Sequence, residues 1–288
     1  MRLIAILVAA ISVAAAPSST APPNSAPGVA SAALVAKGLP PGEEGAKAAL
    51  EVSPRHGEFV DVKLPSGVAI RTWVVYPERK DKAGVVLLIH EIYGLSDWMR
   101  GVADQLAADG FIAVAPDLIS GFGPGGGGTD SVPSRDDVVK LVRALTPEEA
   151  RARLQAVRAY AEKLPAANGK LATMGFCWGG GQSFAFAAAT PPPNAAVVFY
   201  GTAPDSATLL EVRAPVLGLY GEDDARVNAT IAPARAALSR LRRAYETHVF
   251  PGAGHGFLRA QGLRDGANLA AARKAWPLAV GLLRKRLE

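Results

Sequence analysis

The chain holds a single cysteine, Cys177, in the stretch Gly175-Phe176-Cys177-Trp178-Gly179-Gly180. A candidate nucleophile with glycine two residues away on either side is the pattern of a nucleophile elbow, a tight turn between a strand and a helix. The glycines are required for room, because side chains at those places collide with neighbouring backbone. A thiol at a helix N-terminus also meets the positive end of the helix dipole, which favours thiolate. A free cysteine can equally be an inert buried residue. Here the flanking glycines and the strand-turn-helix setting favour reactivity.

A nucleophile of this kind needs an imidazole within hydrogen-bond reach. His255 lies in Gly252-Ala253-Gly254-His255-Gly256-Phe257, directly after a β-rich run ending at Phe250. His248 falls inside that run and His56 precedes the core, so His255 is the candidate base. A carboxylate must then orient the imidazole. Gly221-Glu222-Asp223-Asp224 follows the apolar run Pro215 to Tyr220 and offers Asp223 or Asp224. The chain order nucleophile, acid, base is the order of the α/β-hydrolases.

The elements that must position these groups are legible in the hydrophobic pattern. Phe59 to Leu64 and Val68 to Tyr76, separated by Pro65-Ser66-Gly67, read as a hairpin. Val85 to Ile89 is a continuous apolar run, the mark of a strand buried on both faces. A helix is predicted over Asp97 to Ala108, closed by Gly110, and Phe111 to Ala115 is the next strand. After the glycine-rich stretch from Ser120 to Asp130, Thr146-Pro147-Glu148-Glu149 forms a capping box with proline at the first helical position. The helix it opens carries Ala150, Leu154, Val157, Ala161 and Leu164 on one face. Strands follow at Leu171 to Gly175, Ala196 to Tyr200, Pro215 to Tyr220 and Tyr245 to Phe250. Helices are predicted over Trp178 to Ala189, from Val227 to about Leu241, and through Trp276, Val280, Leu283 and Leu287. Alternating strands and helices give a mostly parallel central sheet with helices on both faces. In such sheets ligands bind at the carboxyl ends of the strands, where Cys177, the Asp pair and His255 all fall.

Residues 1–14 read as an export signal: Arg2, then the apolar run Leu3 to Val13, then small residues, with cleavage expected after Ala14 and no later than Ala16. The run is too short for a stable membrane anchor, so no lasting membrane insertion is expected and the mature protein is placed in the periplasm or outside the cell. Residues 15–50, rich in Ala, Pro, Ser and Gly, read as a flexible spacer, leaving 51–288 as one folded domain. Of the 288 residues, 49% are hydrophobic and 20% charged, which excludes a disordered or fibrous chain. The net charge of +5 comes without aromatic interleaving, zinc spacing or any nucleic-acid module, so it reads as a solvated basic surface and no nucleic-acid partner is expected. One cysteine allows no internal disulfide. The Gly121 to Gly128 stretch lacks a Gly-Lys-Ser/Thr ending, which argues against a phosphate loop; whether it is a lid or a surface loop stays open.

Taken together, these motifs resemble the dienelactone hydrolase family of the α/β-hydrolase superfamily. The residues that carry the resemblance are His90-Glu91-Ile92-Tyr93-Gly94, Pro116-Asp117-Leu118, Gly175 to Gly180, Gly221 to Asp224 and Ala253 to Phe257, and it runs from about residue 58 to 287. It implies the α/β-hydrolase fold, no metal and no organic cofactor. It selects Asp224, three residues after the glycine, as the acid. It implies that Glu91 holds the thiol proton at rest, and that the backbone N–H groups of Ile92 and Trp178 form the oxyanion hole. Arg259 corresponds to one of two arginines that grip a substrate carboxylate in dienelactone-cleaving members, and Tyr93 is counted with it in substrate binding. The position of the other arginine is Gly121 here, so dienelactone itself is not the expected substrate.

The resulting expectation is an exported, monomeric hydrolase that cuts a small-molecule ester or lactone through a Cys177-His255-Asp224 triad and an acyl-enzyme. Its alternatives are an esterase for acylated sugars or polyesters and a non-catalytic or redox-sensitive binding protein on the same fold.

Overall fold

Ala83–Ile89 form a strand with all seven residues buried, the burial that its unbroken apolar sequence requires of a central parallel strand. The computed structural model describes residues 38–288. In chain order the elements are α1 (Glu43–Glu51), β1 (Gly57–Lys63), β2 (Ala69–Val75), β3 (Ala83–Ile89), α2 (Asp97–Ala108), β4 (Ile112–Pro116), α3 (Arg135–Ala144), α4 (Pro147–Ala161), β5 (Ala167–Phe176), α5 (Trp178–Phe186), β6 (Ala196–Phe199), α6 (Ser206–Glu211), β7 (Val216–Asp223), α7 (Ala225–Asn228), α8 (Ile231–Arg240), β8 (Tyr245–Gly254) and α9 (Ala267–Leu287).

The strands make one eight-stranded sheet in the order β1-β2-β4-β3-β5-β6-β7-β8. β2 pairs antiparallel with both β1 and β4, and every other pair is parallel. The expected mostly parallel sheet is therefore present. Side chains of β3 alternate between its faces. Val86 and Leu88 join Trp98, Met99 and Val102 of α2 and Trp276, Val280 and Leu283 of α9 on one side. Val85, Leu87 and Ile89 join Val138 and Val142 of α3 and Leu154 and Val157 of α4 on the other. Helices thus cover both faces.

Thr146 caps α4 as the sequence requires: its side chain accepts from the Glu149 N–H, and the Glu149 carboxylate accepts from the Thr146 N–H at 3.0 Å. The single helix predicted from Val227 to Leu241 is two. Asn228 ends α7 by donating from its side chain to the Gly221 and Glu222 carbonyls, which ties that turn to the end of β7.

The spacer reading needs a correction at its end. Its first part and the export signal lie outside the described residues, but 43–51 form α1. Ala46 is buried, Trp98 Nε1 donates to the Pro41 carbonyl at 3.1 Å, and the Glu43 N–H donates to the Arg259 carbonyl at 2.9 Å. Beyond α1, Arg55 forms a two-pronged ion pair with Asp104 of α2. The segment is held by polar contacts and by buried Leu39, while α1 itself buries only Ala46, so no broad apolar face announces the helix. The Gly121 to Gly128 stretch is likewise folded onto itself. The Gly121 and Gly123 N–H groups both donate to the Gly127 carbonyl at 3.0 Å, and buried Asp117 accepts from Thr129 N and Oγ1.

Candidate active site

The sheet register brings the candidate groups together. Ile89 of β3 pairs with Gly175 of β5, so two residues further on Glu91 and Cys177 leave neighbouring strands at the same level. Asp223 of β7 pairs with Gly254 of β8, and one residue on stand Asp224 and His255. Phe176 pairs with Phe199 of β6, which sets Tyr200 beside Cys177. Five loops converge on one rim of the sheet.

Cys177 has φ 53° and ψ −116°, a strained conformation for a side-chain-bearing residue. The turn is locked by Cys177 N donating to the Phe199 carbonyl at 3.0 Å and Gly181 N donating to the Cys177 carbonyl at 3.2 Å. A Cβ on Gly175 would stand 1.9 Å from the Gly179 carbonyl oxygen, and one on Gly179 would stand 2.3 Å from that of His90. The glycines are there because backbone passes backbone. The sulfur is half-buried at the N-terminus of α5.

Nδ1 of His255 lies 2.6 Å from Oδ2 of buried Asp224. Burial alone lowers the imidazole pKa, but hydrogen bonds to Asp224 and to the Cys177 side chain outweigh it and bring the value to about 9. The Tyr200 ring meets the imidazole edge-on, with centroids 5.2 Å apart. Asp223 turns outward instead and pairs with Arg264.

A cavity of about 700 Å³ opens over these groups, lined by Ile92, Cys177, Trp178, Tyr200, Arg226 and His255 among others. Among the described residues, the backbone N–H groups of Ile92 and Trp178 have no hydrogen-bond acceptor. Such donors beside a nucleophile can stabilise charge on an attacked carbonyl oxygen. The arrangement can perform acyl transfer: a sulfur nucleophile, an imidazole fixed by a carboxylate, and unused N–H donors facing one cavity.

Glu91 sits behind the cavity wall, 3% exposed. Burial pushes its carboxyl up to about 7, against the pull of Arg259 and with a further push from Glu43. Arg259 and Tyr93 do not line the cavity. Arg259 binds Glu43 of α1, and the Tyr93 ring lies under the guanidinium groups of Arg135 and Arg259, 3.5 and 5.2 Å from its centroid.

Three contributors were not assigned roles from sequence. His90 is buried; its Nδ1 lies 2.7 Å from the Glu91 carbonyl, and its Nε2 accepts from Leu118 N at 3.1 Å. Those partners make Nδ1 the protonated nitrogen, and burial lowers the pKa and keeps the ring neutral. His90 therefore fixes the backbone that carries Glu91 and Ile92; its place immediately after β3, beside Glu91, was the available signal. Tyr200 is buried with its hydroxyl unpartnered, and burial raises its pKa well above 10. Glu43 lay in the supposed spacer, where nothing in the pattern marks it. Among the described residues no cluster of His, Cys, Asp and Glu is placed to hold a metal ion, and no helix is long and apolar enough to cross a membrane.

Comparison with known proteins gives the family and the fold. The model of the dienelactone hydrolase family matches residues 70–287. A Salmonella typhimurium protein named provisionally as a carboxymethylenebutenolidase is 30% identical over 226 residues, covering 74% of this chain and 82% of its own length. The carboxymethylenebutenolidase of Pseudomonas putida is 29% identical over 221 residues, covering 72% and 92%. A Klebsiella pneumoniae crystal structure, described provisionally as a dienelactone hydrolase, superposes with a TM-score of 0.70 at 24% identity, covering 80% of this chain and 98% of its own.

Proposed function

We propose that this chain, which belongs to the dienelactone hydrolase family, cleaves a carboxylic ester or lactone through Cys177, His255 and Asp224. The reading rests on one observation: the His255–Asp224 pair at 2.6 Å faces the same cavity as a half-buried, strained Cys177. Family membership supports the hydrolase class, and the geometry supports the division of labour.

In this scheme the Cys177 thiolate attacks the carbonyl carbon, and the developing oxyanion is met by the N–H groups of Ile92 and Trp178. The carbon–oxygen bond to the alcohol breaks as His255 delivers a proton to the leaving oxygen, leaving a thioester on Cys177. His255 then takes a proton from water, which attacks the thioester. The acid departs and Cys177 is released as the thiolate with His255 protonated, the state that began the cycle. Asp224 keeps the imidazole oriented and supports its charged form. Glu91, buried beside Cys177, holds the thiol proton between turnovers.

The substrate class is a small ester or lactone, the protein acts as a monomer, and residues 1–14 direct it to the periplasm or outside the cell. Terminal sequencing of the exported protein tests the last point, with residue 15 as the expected new terminus. Turnover of a small aryl ester by Cys177→Ala tests the first. Loss of turnover is expected, and retained turnover discards the scheme. Alkylation of Cys177 with no turnover of any ester points instead to a binding protein.

A further inference from the structure

We propose that Glu43 is a specificity-determining residue: its carboxylate fills an anion cradle formed by Arg135 and Arg259, so the enzyme disfavours esters that carry a carboxylate there. The proposal rests on the hydrolase reading above.

Both oxygens of the Glu43 carboxylate are taken by arginines. Arg135 Nη2 donates to Oε1 and Arg259 Nη1 donates to Oε2. The same two guanidinium groups flank Tyr93, which fixes their spacing. Forked donors converging on one carboxylate are the arrangement that recognises carboxylate ligands. Its occupant comes from the chain itself, on a segment that precedes the family match at residues 70–287.

The placing of Glu43 is built. Glu43 N and Gln261 Nε2 tie the segment to the 259–261 turn and to the Pro40 carbonyl, while Trp98 Nε1 holds Pro41. Favourable charge at a helix start does not account for the contact, because neighbouring Glu44 offers the same charge and is exposed, with no arginine bound. The cradle lies against Glu91, behind the wall of the reaction cavity: Arg259 Nε is 3.1 Å from Glu91 Oε1. A cavity of about 320 Å³ bordered by Glu43 and Arg259 and one of about 340 Å³ bordered by Glu43, Tyr93 and Arg135 share Glu43 as a wall. Shortening that side chain frees the guanidinium donors that Glu43 now occupies and leaves space beside them. With Glu43 in place, a ligand carboxylate meets filled donors and a like charge, a repulsive device of the kind that sets specificity.

The test compares p-nitrophenyl butyrate with the mono-p-nitrophenyl ester of glutaric acid, read as the ratio of kcat/KM for the anionic over the neutral ester. Glu43→Ala and Glu43→Gln are both expected to raise that ratio roughly tenfold or more, the gain typical of an unmasked charge-assisted site. Glu44→Ala removes the same charge from the same helix and should leave the ratio within about twofold of wild type. Adding Arg135→Ala to Glu43→Ala restores the wild-type net charge and should bring the ratio back down. Calorimetric titration with glutarate supplies a readout independent of turnover, with binding expected to Glu43→Ala and none to wild type. An unchanged ratio and no glutarate binding in both Glu43 variants overturn the proposal, as does a gain shared by Glu44→Ala. If no protein hydrolyses either ester but glutarate binds only the Glu43 variants, the hydrolase reading fails and the cradle stands.

Discussion

Arg259 Nε stands 3.1 Å from Glu91 Oε1, yet neither atom has a hydrogen-bond partner, because the guanidinium is oriented toward Glu43. A buried carboxylate that is close to a cation but not bonded to it keeps most of its desolvation cost. That is why the Glu91 carboxyl titrates near 7, when burial outweighs the pull of Arg259.

The folded protein therefore holds the Glu91 proton more tightly than the unfolded chain does. Stability falls as pH rises from about 4.5 through about 7, because ionised Glu91 is favoured only after unfolding. Glu91→Gln, which cannot ionise, should gain stability relative to wild type across that interval, by about 3 kcal/mol on an order-of-magnitude conversion. Urea denaturation of both proteins at several pH values measures it. A constant difference contradicts the assignment.

His255 has a linkage of the same sign at higher pH. Its pKa is raised to about 9 by the Asp224 and Cys177 side chains against the effect of burial. The folded state therefore holds this proton more tightly, and its contribution is fully present below the unfolded value of about 6.5. It is lost as pH rises through about 9. The melting temperature of wild type relative to His255→Gln should be highest below that first value and decline to a constant offset above the second. A difference that grows with pH contradicts the pairing.

The glycine-rich stretch is held by Asp117, whose side chain accepts from Ile119 N, Thr129 N and Thr129 Oγ1 while buried. Asp117→Ala leaves those donors without their acceptor and should cost roughly 3 kcal/mol in urea denaturation. Thr129→Val keeps the backbone bond and should cost about 1 kcal/mol. Equal and negligible losses show that the stretch is not fastened this way.

What could be read in advance followed from strong local chemistry. The apolar run Val85 to Ile89 in β3 and the capping box of α4 each force one structure, and the glycines around Cys177 mark a turn no other residue fits. The site residues fall at strand ends, and strand pairing then sets their neighbours. What escaped was weakly patterned or non-local. α3 buries only Val138 and Val142, and α6 has six residues, too few to establish a helical period. The helix from Val227 breaks because Asn228 bonds to the end of β7, a contact set by tertiary structure. Glu43 owes its place to Arg135 and Arg259, which lie 92 and 216 residues away in sequence. Residues alone left Asp223 and Asp224 undecided; resemblance selected Asp224, and the turn after β7 aims it at His255.

The most direct measurement of the central claim is rapid acid quenching of the wild-type enzyme with p-nitrophenyl acetate, followed by peptide mass spectrometry across the first turnovers. An acetyl group on the peptide containing Cys177, rising before the steady state and absent in Cys177→Ala, is the result the account predicts. Release of p-nitrophenol with Cys177 unmodified at every time point, or with the acetyl group on another residue, contradicts it.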